Sequence, residues 1–590
     1  MSRRVPQAQG EPLASGDFLR ILDLLPGQAD DLIQCDLRVA SLGDQIQYEA
    51  LSYVWGHHSR MIRIAGLKVS VTVNLYSALK RLRHTSSKRA LWIDQLCINQ
   101  QDDDEKAHQV DMMRSIYKEC TRCLIWLGDI PEGGGFSILD AKAAFDYVRV
   151  LSGDTGEEFL AFDSSRMSTV ALDGVCAAFR ALMLNGNPWW SRIWTVQEAV
   201  LTKEATILWG HLTLPRDALE AAALNLCRGS WPYRIRHIID RLRPYHWTND
   251  NFTDPVRGLT IARAGEDPLN LLQRWRHREA TNPRDKVYAL MGLFSSNPFP
   301  SVQSCRYDIS PAELFAKVTR DLIELESGLR AFVGRRGEPH VTKDLPTWAL
   351  DLIRFPDGKQ RAWKWWNNSH RYRKFNACGS KQLMLGISED PYILSLTGVY
   401  IDEIIAVGEV LREDTFGELP DEQVIDMINS WEQLLAQFLY RQATAVFSRY
   451  IRWPDAFART VLGDLIMNEF PVRRVTDQDF FDLEAFRDTG IRGSSYVSLR
   501  DMVVKQAFFI TKTGYLGLGP PNILPGDEVW ILFGGQVPFI LKRRGGGSQE
   551  SMGTSTAHEY FFVGDTYVCG IMDGETVEHL EDRQATIHLY

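Results

Sequence analysis

Short apolar segments alternate with helical sequence between residues 48 and 130, and this order restricts the fold more than any other feature. Segments 90–93 and 123–127 are continuously apolar, as expected of strands that are buried on both faces. A helix pattern lies between them, and it starts with Asp102 followed three residues later by Glu105. A strand, a helix and a second strand in this order predict a right-handed crossover in a parallel sheet. The residues that we expect to be buried around this sheet are Leu51, Trp92, Ile93, Ile125 and Ile207.

A second informative segment is Asn187-Pro188-Trp189-Trp190-Ser191-Arg192-Ile193-Trp194-Thr195-Val196-Gln197-Glu198. Pro188 disfavours helix at the residue before it and Ser191 is a good N-cap, so we predict a helix that begins at Ser191. Trp194 and Glu198 are four residues apart and would share one face of that helix. A carboxylate beside an indole can form a functional site, in which both side chains contact a ligand. The alternative is a well-packed core helix with Glu198 in water, and this segment alone favours the alternative.

Asp94 is another candidate site residue, because it follows the apolar strand 90–93 directly. In a parallel sheet, ligands bind at the carboxyl ends of the strands, where Asp94 would lie. Asp94 could instead be a turn residue or a helix cap within 94–99. The sequence alone leaves both interpretations open.

The composition indicates a protein of a reducing compartment. Nine scattered cysteines are typical of free thiols, and the pair Cys120 and Cys123 lacks the second pair of a zinc site. Lys plus Arg total 66 and Asp plus Glu total 75, and the net charge of −9 argues against a nucleic-acid-binding surface over the whole protein. The chain has no apolar run long enough to span a bilayer and no signal peptide. We therefore expect a soluble cytoplasmic protein without a metal or a cofactor.

Changes in periodicity divide the chain into four regions. Residues 1–47 form an N-terminal lead segment, and residues 48–210 form the α/β domain, with an insertion at 131–186. Residues 211–504 read as mainly helical. Short strands punctuated by Gly and Pro then predict a small β-rich C-terminal module over 505–590.

Three segments of the predicted α/β domain resemble, in the same order, motifs of the fungal HET (heterokaryon incompatibility) domain. They are Tyr48-Glu49-Ala50-Leu51-Ser52-Tyr53-Val54-Trp55-Gly56, the run Leu91-Trp92-Ile93-Asp94-Gln95-Leu96-Cys97-Ile98-Asn99-Gln100, and Pro188-Trp189 with Arg192, Trp194, Gln197 and Glu198. Asn282 to Leu290 resembles a segment that is common downstream in such proteins. The resemblance implies a fungal protein that acts in non-self recognition and regulated cell death through protein contacts and self-association.

HET domains are in turn similar to TIR domains, and this more distant resemblance implies a TIR-like parallel sheet flanked by helices. Ser191 to Val200 resembles the TIR helix Ser-x-x-Trp-Cys-x-x-Glu-Leu, with Trp194 and Glu198 in the Trp and Glu places and Thr195 in place of Cys. Many enzymatic TIR domains cleave NAD at its nicotinamide glycosidic bond with that Glu, whereas others are scaffolds. The resemblance therefore leaves two functions open, which are action through protein contacts and cleavage of NAD as a substrate with Glu198 as the catalytic residue. The ligand contacts expected at the same site are Tyr53, Trp55, Asp94 and Trp194.

Overall fold

The computed structural model gives the placement of most of the chain. The residues that it describes are 16–56, 58–154, 156, 162–183, 186–242, 252–334, 340–353, 373–411, 420–441, 453–467, 469, 471–545 and 558–590. The chain forms two units, which are described separately. The first comprises residues 1–297 with 303–308, and the second comprises 298–302 with 309–590.

The described part of the first unit contains a nine-stranded sheet. Its strands are β1 (Phe18–Leu24), β2 (Gln34–Ser41), β3 (Glu49–Tyr53), β4 (Ser59–Ile64), β5 (Leu67–Thr72), β6 (Arg89–Trp92), β7 (Cys123–Trp126), β8 (Ala205–Trp209) and β9 (Leu212–Pro215). They lie in the order β5-β4-β2-β1-β6-β3-β7-β8-β9.

The centre of this sheet is parallel, as the sequence predicts. Strand β3 pairs in parallel with β6 on one side and β7 on the other, and β7 pairs in parallel with β8. The five residues expected in the core, Leu51, Trp92, Ile93, Ile125 and Ile207, are all buried. The predicted α/β fold with a helix-flanked sheet is therefore confirmed.

Antiparallel strands extend the parallel centre and make the whole sheet mixed. Strand β1 pairs antiparallel with both β2 and β6, so residues that precede position 48 are part of the sheet. Strand β1 also contacts the long helix before β7, Asp103–Glu119, through a buried ion pair in which Arg20 Nη1 lies 2.5 Å from Glu105 Oε1. The Glu105 side chain therefore forms an ion pair and does not take part in a capping box. Asp102 caps the helix by accepting hydrogen bonds from the backbone N–H groups of Asp104 and Glu105.

Helices cover the sheet and continue beyond it. They are α1 (Val73–Leu82), α2 (Asp94–Cys97), α3 (Asp103–Glu119), α4 (Ile138–Ser152), α5 (Thr169–Leu182), α6 (Trp194–Val200), α7 (Arg216–Cys227), α8 (Arg236–Leu242), α9 (Asp254–Ala264), α10 (Pro268–Trp275) and α11 (Asp285–Met291). Helices α4 and α5 lie between β7 and β8 in the chain, within segment 131–186, and α4 packs against α5 and α7. The first unit thus includes helices from the region after residue 210.

The second unit combines helices with a larger β structure. Its helices are α12 (Pro311–Glu326), α13 (Asp421–Arg441), α14 (Trp453–Val461), α15 (Asp477–Thr489) and α16 (Tyr496–Val503). Its strands are β10 (Leu394–Val410), β11 (Leu465–Ile466), β12 (Arg473–Arg474), β13 (Ala507–Thr511), β14 (Leu516–Gly519), β15 (Glu528–Leu532), β16 (Phe539–Arg543), β17 (His558–Asp565), β18 (Tyr567–Val568) and β19 (Gln584–Leu589).

The β-rich C-terminal module is confirmed, and it contains a closed barrel. Strands β15, β16, β17, β19 and β10 follow one another around the barrel, and β10 closes it by pairing with β15. From Ile404 onward, β10 pairs with β13, and β14 and β18 extend the sheet from there. Strand β10 comes from the region that the sequence indicates to be helical. It was missed because residues 394–399 are all buried, so no period-2 alternation is visible.

Within the residues that the structure describes, no helix is both long enough and apolar enough to cross a membrane.

The barrel closure makes a prediction about Gly398, where β10 meets β15. A Cβ added to Gly398 would lie 2.8 Å from the Ile531 carbonyl oxygen and 2.8 Å from the Leu532 side chain. We expect Gly398→Ala to lower the free energy of unfolding by about 1–3 kcal/mol, because the neighbouring strand must move. Chemical denaturation of the full chain measures this change. Gly328→Ala is the control, since its Cβ would lie 3.4 Å from the nearest atom, and equal stability of the two variants would contradict the prediction.

Candidate functional site

The candidate site lies at the carboxyl ends of β3 and β6, which are parallel neighbours and therefore end at the same edge of the sheet. Tyr53 ends β3, and its hydroxyl donates a hydrogen bond of 2.8 Å to Gln95 Oε1. Asp94 directly follows β6, and the indole Nε1 of Trp55 donates to Asp94 Oδ2 at 3.0 Å. The structure thus brings together Tyr53, Trp55 and Asp94, three of the predicted contact residues.

Two short helical elements lead to Glu198, instead of the single helix from Ser191 that the sequence predicts. Asn187 caps a 3-10 helix, Pro188–Ser191, and its Oδ1 accepts from the backbone N–H of Trp189 at 3.0 Å. Helix α6 then starts at Trp194 without a side-chain cap. The prediction that Ser191 caps this helix is therefore wrong. The Ser191 hydroxyl instead donates to the Pro188 carbonyl, because Asn187 and Pro188 already form a turn there.

Glu198 is buried, which overturns the interpretation of a core helix with Glu198 in water. Only 7% of the residue is exposed. The Ser52 hydroxyl donates to Glu198 Oε2 and accepts a 2.7 Å hydrogen bond from the indole Nε1 of Trp189. Trp189, Ser52 and Glu198 therefore form one buried chain of hydrogen bonds.

The surroundings of Glu198 change its acidity. Burial raises the pKa of Glu198 to about 7. The hydrogen bond from Ser52 lowers this pKa, whereas the negative charge of Asp94 raises it further. The positive charges of Arg192 and Arg278 oppose the increase. Burial also raises the pKa of Asp94, and Arg192 opposes that shift as well. The site therefore holds two interacting carboxyl groups with an arginine acting on both.

Trp194 has a different partner from the one that helix spacing indicates. Its indole Nε1 donates to Asp285 Oδ2 at 3.1 Å, and the Tyr307 hydroxyl donates to the other oxygen of Asp285 at 2.9 Å. No hydrogen bond joins Trp194 to Glu198. Trp194 therefore connects α6 to the start of α11 within the first unit.

Four residues of this environment were not identified as site residues from the sequence. Ser52 and Arg192 lie in segments that the HET resemblance covers, so their presence was visible but their roles were not. Asp285 lies in the segment 282–290, which resembles sequence downstream of HET domains. Arg278 carries no sequence signal, because its relation to Glu198 exists only through the tertiary fold.

Metal-ligand chemistry has no support among the described residues. They contain no group of three or more His, Cys, Asp or Glu residues that could hold a metal ion. Cys120 and Cys123 are free, as predicted, and both are buried. Burial raises the pKa of the Cys120 thiol to about 12, which keeps it protonated and unreactive at neutral pH.

The arrangement around Glu198 can carry proton transfer or stabilise positive charge. A carboxyl group with a pKa near 7 exists in both forms at neutral pH, so it can donate or accept a proton. In its ionised form, the same group can stabilise a cation that develops at a bound ligand.

Comparisons with known proteins agree with the motifs and the fold. Residues 48–198 match the family model of the heterokaryon incompatibility protein (HET) domain, and residues 471–587 match that of the Het-6 β-barrel domain. The chain therefore carries one region that is similar to the HET domain and, after it, one that is similar to the Het-6 β-barrel domain. It is similar to "Heterokaryon incompatibility protein 6, OR allele" of Neurospora crassa, with 25% identity over an alignment of 677 residues that covers 95% of each chain. No solved structure matches the chain significantly, so the likeness to TIR domains stays a prediction.

The raised pKa of Glu198 predicts how stability depends on pH. Between its ordinary value of 4.5 and the folded-state value of about 7, the folded protein binds more protons at Glu198 than the unfolded protein does. This contribution to stability is complete below pH 4.5 and is lost as the pH rises through about 7. Glu198→Gln removes the dependence, so we expect the variant to gain roughly 3 kcal/mol over the wild type between pH 5 and pH 8.

Thermal and chemical denaturation of the full chain at these two pH values measures the difference. Glu204→Gln, at an exposed position in the same unit, is the control for the loss of one negative charge. A Glu198→Gln variant whose stability follows the wild type at both pH values would refute the burial of an acidic carboxyl group.

Proposed function

We propose that this chain acts in fungal non-self recognition and regulated cell death through contacts with other proteins and with itself. The observation that supports this proposal most is the similarity along 95% of the chain to a protein whose name describes heterokaryon incompatibility. The HET-domain match over residues 48–198 supports the same role. We infer that proteins, and not nucleic acids, are its partners, in agreement with its net charge of −9. Its nine free cysteines favour the cytoplasm.

We also propose a chemical route to that role, in which Glu198 cleaves the bond between nicotinamide and ribose in NAD. The observation in favour is the buried hydrogen bond between Ser52 and Glu198, with Asp94 and Tyr53 close to the same carboxyl group. Loss of neutral nicotinamide leaves positive charge on the ribose, and an ionised carboxylate stabilises such an oxocarbenium-like state until a water molecule bonds to C1′ and releases a proton. NAD is then a substrate, and the reaction requires no bound cofactor.

Forced expression of the full chain in a fungal cell is expected to arrest growth. The expected cause is the activity of the folded HET domain, so Trp92→Ala should remove the effect. Trp92 is fully buried beside β3, and truncating such a side chain costs about 3–5 kcal/mol. Colony growth at matched protein levels, determined by immunoblotting, is the measurement. Normal growth with abundant wild-type protein would contradict the proposed role in cell death.

Glu198→Gln separates the chemical route from action through protein contacts alone. The amide keeps the size of the side chain and can still accept from Ser52, so the variant should fold. If Glu198 acts in catalysis, purified wild-type chain releases nicotinamide from NAD, with a rate that increases as the pH rises through about 7. The variant then loses both this release and its toxicity, whereas Glu204→Gln retains both. A folded Glu198→Gln chain that remains fully toxic, with cellular NAD unchanged, would end the catalytic proposal.

A further inference from the structure

A fully buried arginine, Arg278, lies near the Glu198 site, and among the residues that the structure describes no carboxylate forms an ion pair with it. Arg278 follows α10 and lies outside the HET-matched residues 48–198. Its guanidinium group stacks on the Trp275 ring, with Cζ 4.6 Å from the ring centroid. Its Nε and Nη2 atoms have no hydrogen-bond partner among the residues that the structure describes. Burying a charge in this way is unfavourable, so its presence at this place calls for a cause beyond packing.

The remaining nitrogen of the guanidinium group holds the beginning of α6. Arg278 Nη1 donates to Thr195 Oγ1 at 2.7 Å and to the Arg192 carbonyl oxygen at 3.2 Å. Backbone hydrogen bonds join the same two segments, since the Ile193 N–H donates to the Glu279 carbonyl at 3.0 Å. Arg278 is therefore fixed relative to the first turn of α6, the helix that carries Glu198.

Arg278 and Glu198 act on each other electrostatically. Burial lowers the pKa of Arg278 to about 9, and the negative charge of Glu198 opposes that change. In the other direction, Arg192 and Arg278 oppose the increase that burial causes in the pKa of Glu198. The other titratable groups that interact with Glu198 are Asp94, Tyr53, Tyr117 and Cys123. Two positively charged groups, Arg192 and Arg278, also interact with Glu198. Of these two, Arg278 is fully buried.

We propose that Arg278 is a positioning residue for Glu198, which fixes the first turn of α6 through Thr195 and supplies a buried positive charge that favours the ionised carboxylate. The working HET domain then extends beyond residues 48–198 to include the segment after α10. This proposal builds on the proposed role of Glu198, but its test requires no reaction. Absence of nicotinamide release would count against the reaction and not against the position of Arg278.

The test follows the ionisation of Glu198 in the full chain. The difference in thermal midpoint between the protein with Glu198 and its Glu198→Gln variant is measured from pH 5 to pH 9, and the pH at which this difference levels off reports the ionisation of Glu198 in the folded protein. In an Arg278→Met background, we expect this pH to rise by about one unit, because the opposing positive charge is lost. Arg278→Lys is the matched control with similar length and a retained charge, and it should shift the value by less than half as much.

Two results would overturn the proposal. One is an unchanged ionisation pH in Arg278→Met, and the other is an equal shift in the Met and Lys variants, which would indicate a packing effect. Should Arg278→Met fail to fold, Thr195→Val carries the test, because it has nearly the same shape and removes the side-chain acceptor of Arg278 Nη1, together with the donation of that hydroxyl to the Trp189 and Arg192 carbonyl oxygens. The ionisation pH should rise in Thr195→Val as well, and an unchanged value there would equally overturn the proposal.

Discussion

The hydrogen bond from the Ser52 hydroxyl to the Glu198 carboxylate is the interaction on which the candidate site depends. It joins β3 to α6 across 146 residues of sequence. Trp189 donates to the same hydroxyl, so the 3-10 helix before α6 is fixed by the same contact. Because the carboxyl group is buried there, its pKa lies near 7, and the pH response and the proposed chemistry both follow from that burial.

Helix α6 is buried from its second residue to its end, and this burial explains the electrostatics of Glu198. Residues 195–200 are all buried. One side of the helix faces the parallel centre of the sheet, and the segment 278–292 packs on it through Arg278 and α11. The first unit therefore extends on both sides of the HET match, with β1 and β2 before it and α7 to α11 after it. An expression fragment that stopped near residue 210 would lack Arg278 and Asp285.

Local sequence predicted the parts of the fold that depend on local patterns. The apolar segments of β6 and β7, the capped start of α3 and the β-rich C-terminal region could be identified because burial imposes a visible periodicity or a continuous apolar run. Three features could not. The start of α6 is set by Asn187 and by backbone contacts with Glu279, and the burial of Glu198 depends on Ser52 and on residues beyond 270. Strand β10 has buried residues on both faces, so it lacks the alternation that marks a strand.

The central claim, a buried acidic group at Glu198 that titrates near neutral pH, can be measured directly by infrared difference spectroscopy. Spectra of the full chain at pH 5 and pH 9 are compared with those of Glu198→Gln, so that the contribution of one carboxyl group is isolated. We predict a protonated-carboxyl band that is present at pH 5, disappears with a midpoint near pH 7 and is missing in the variant. A wild-type difference spectrum identical to that of Glu198→Gln, or a midpoint at the ordinary value of 4.5, would contradict this account of the site.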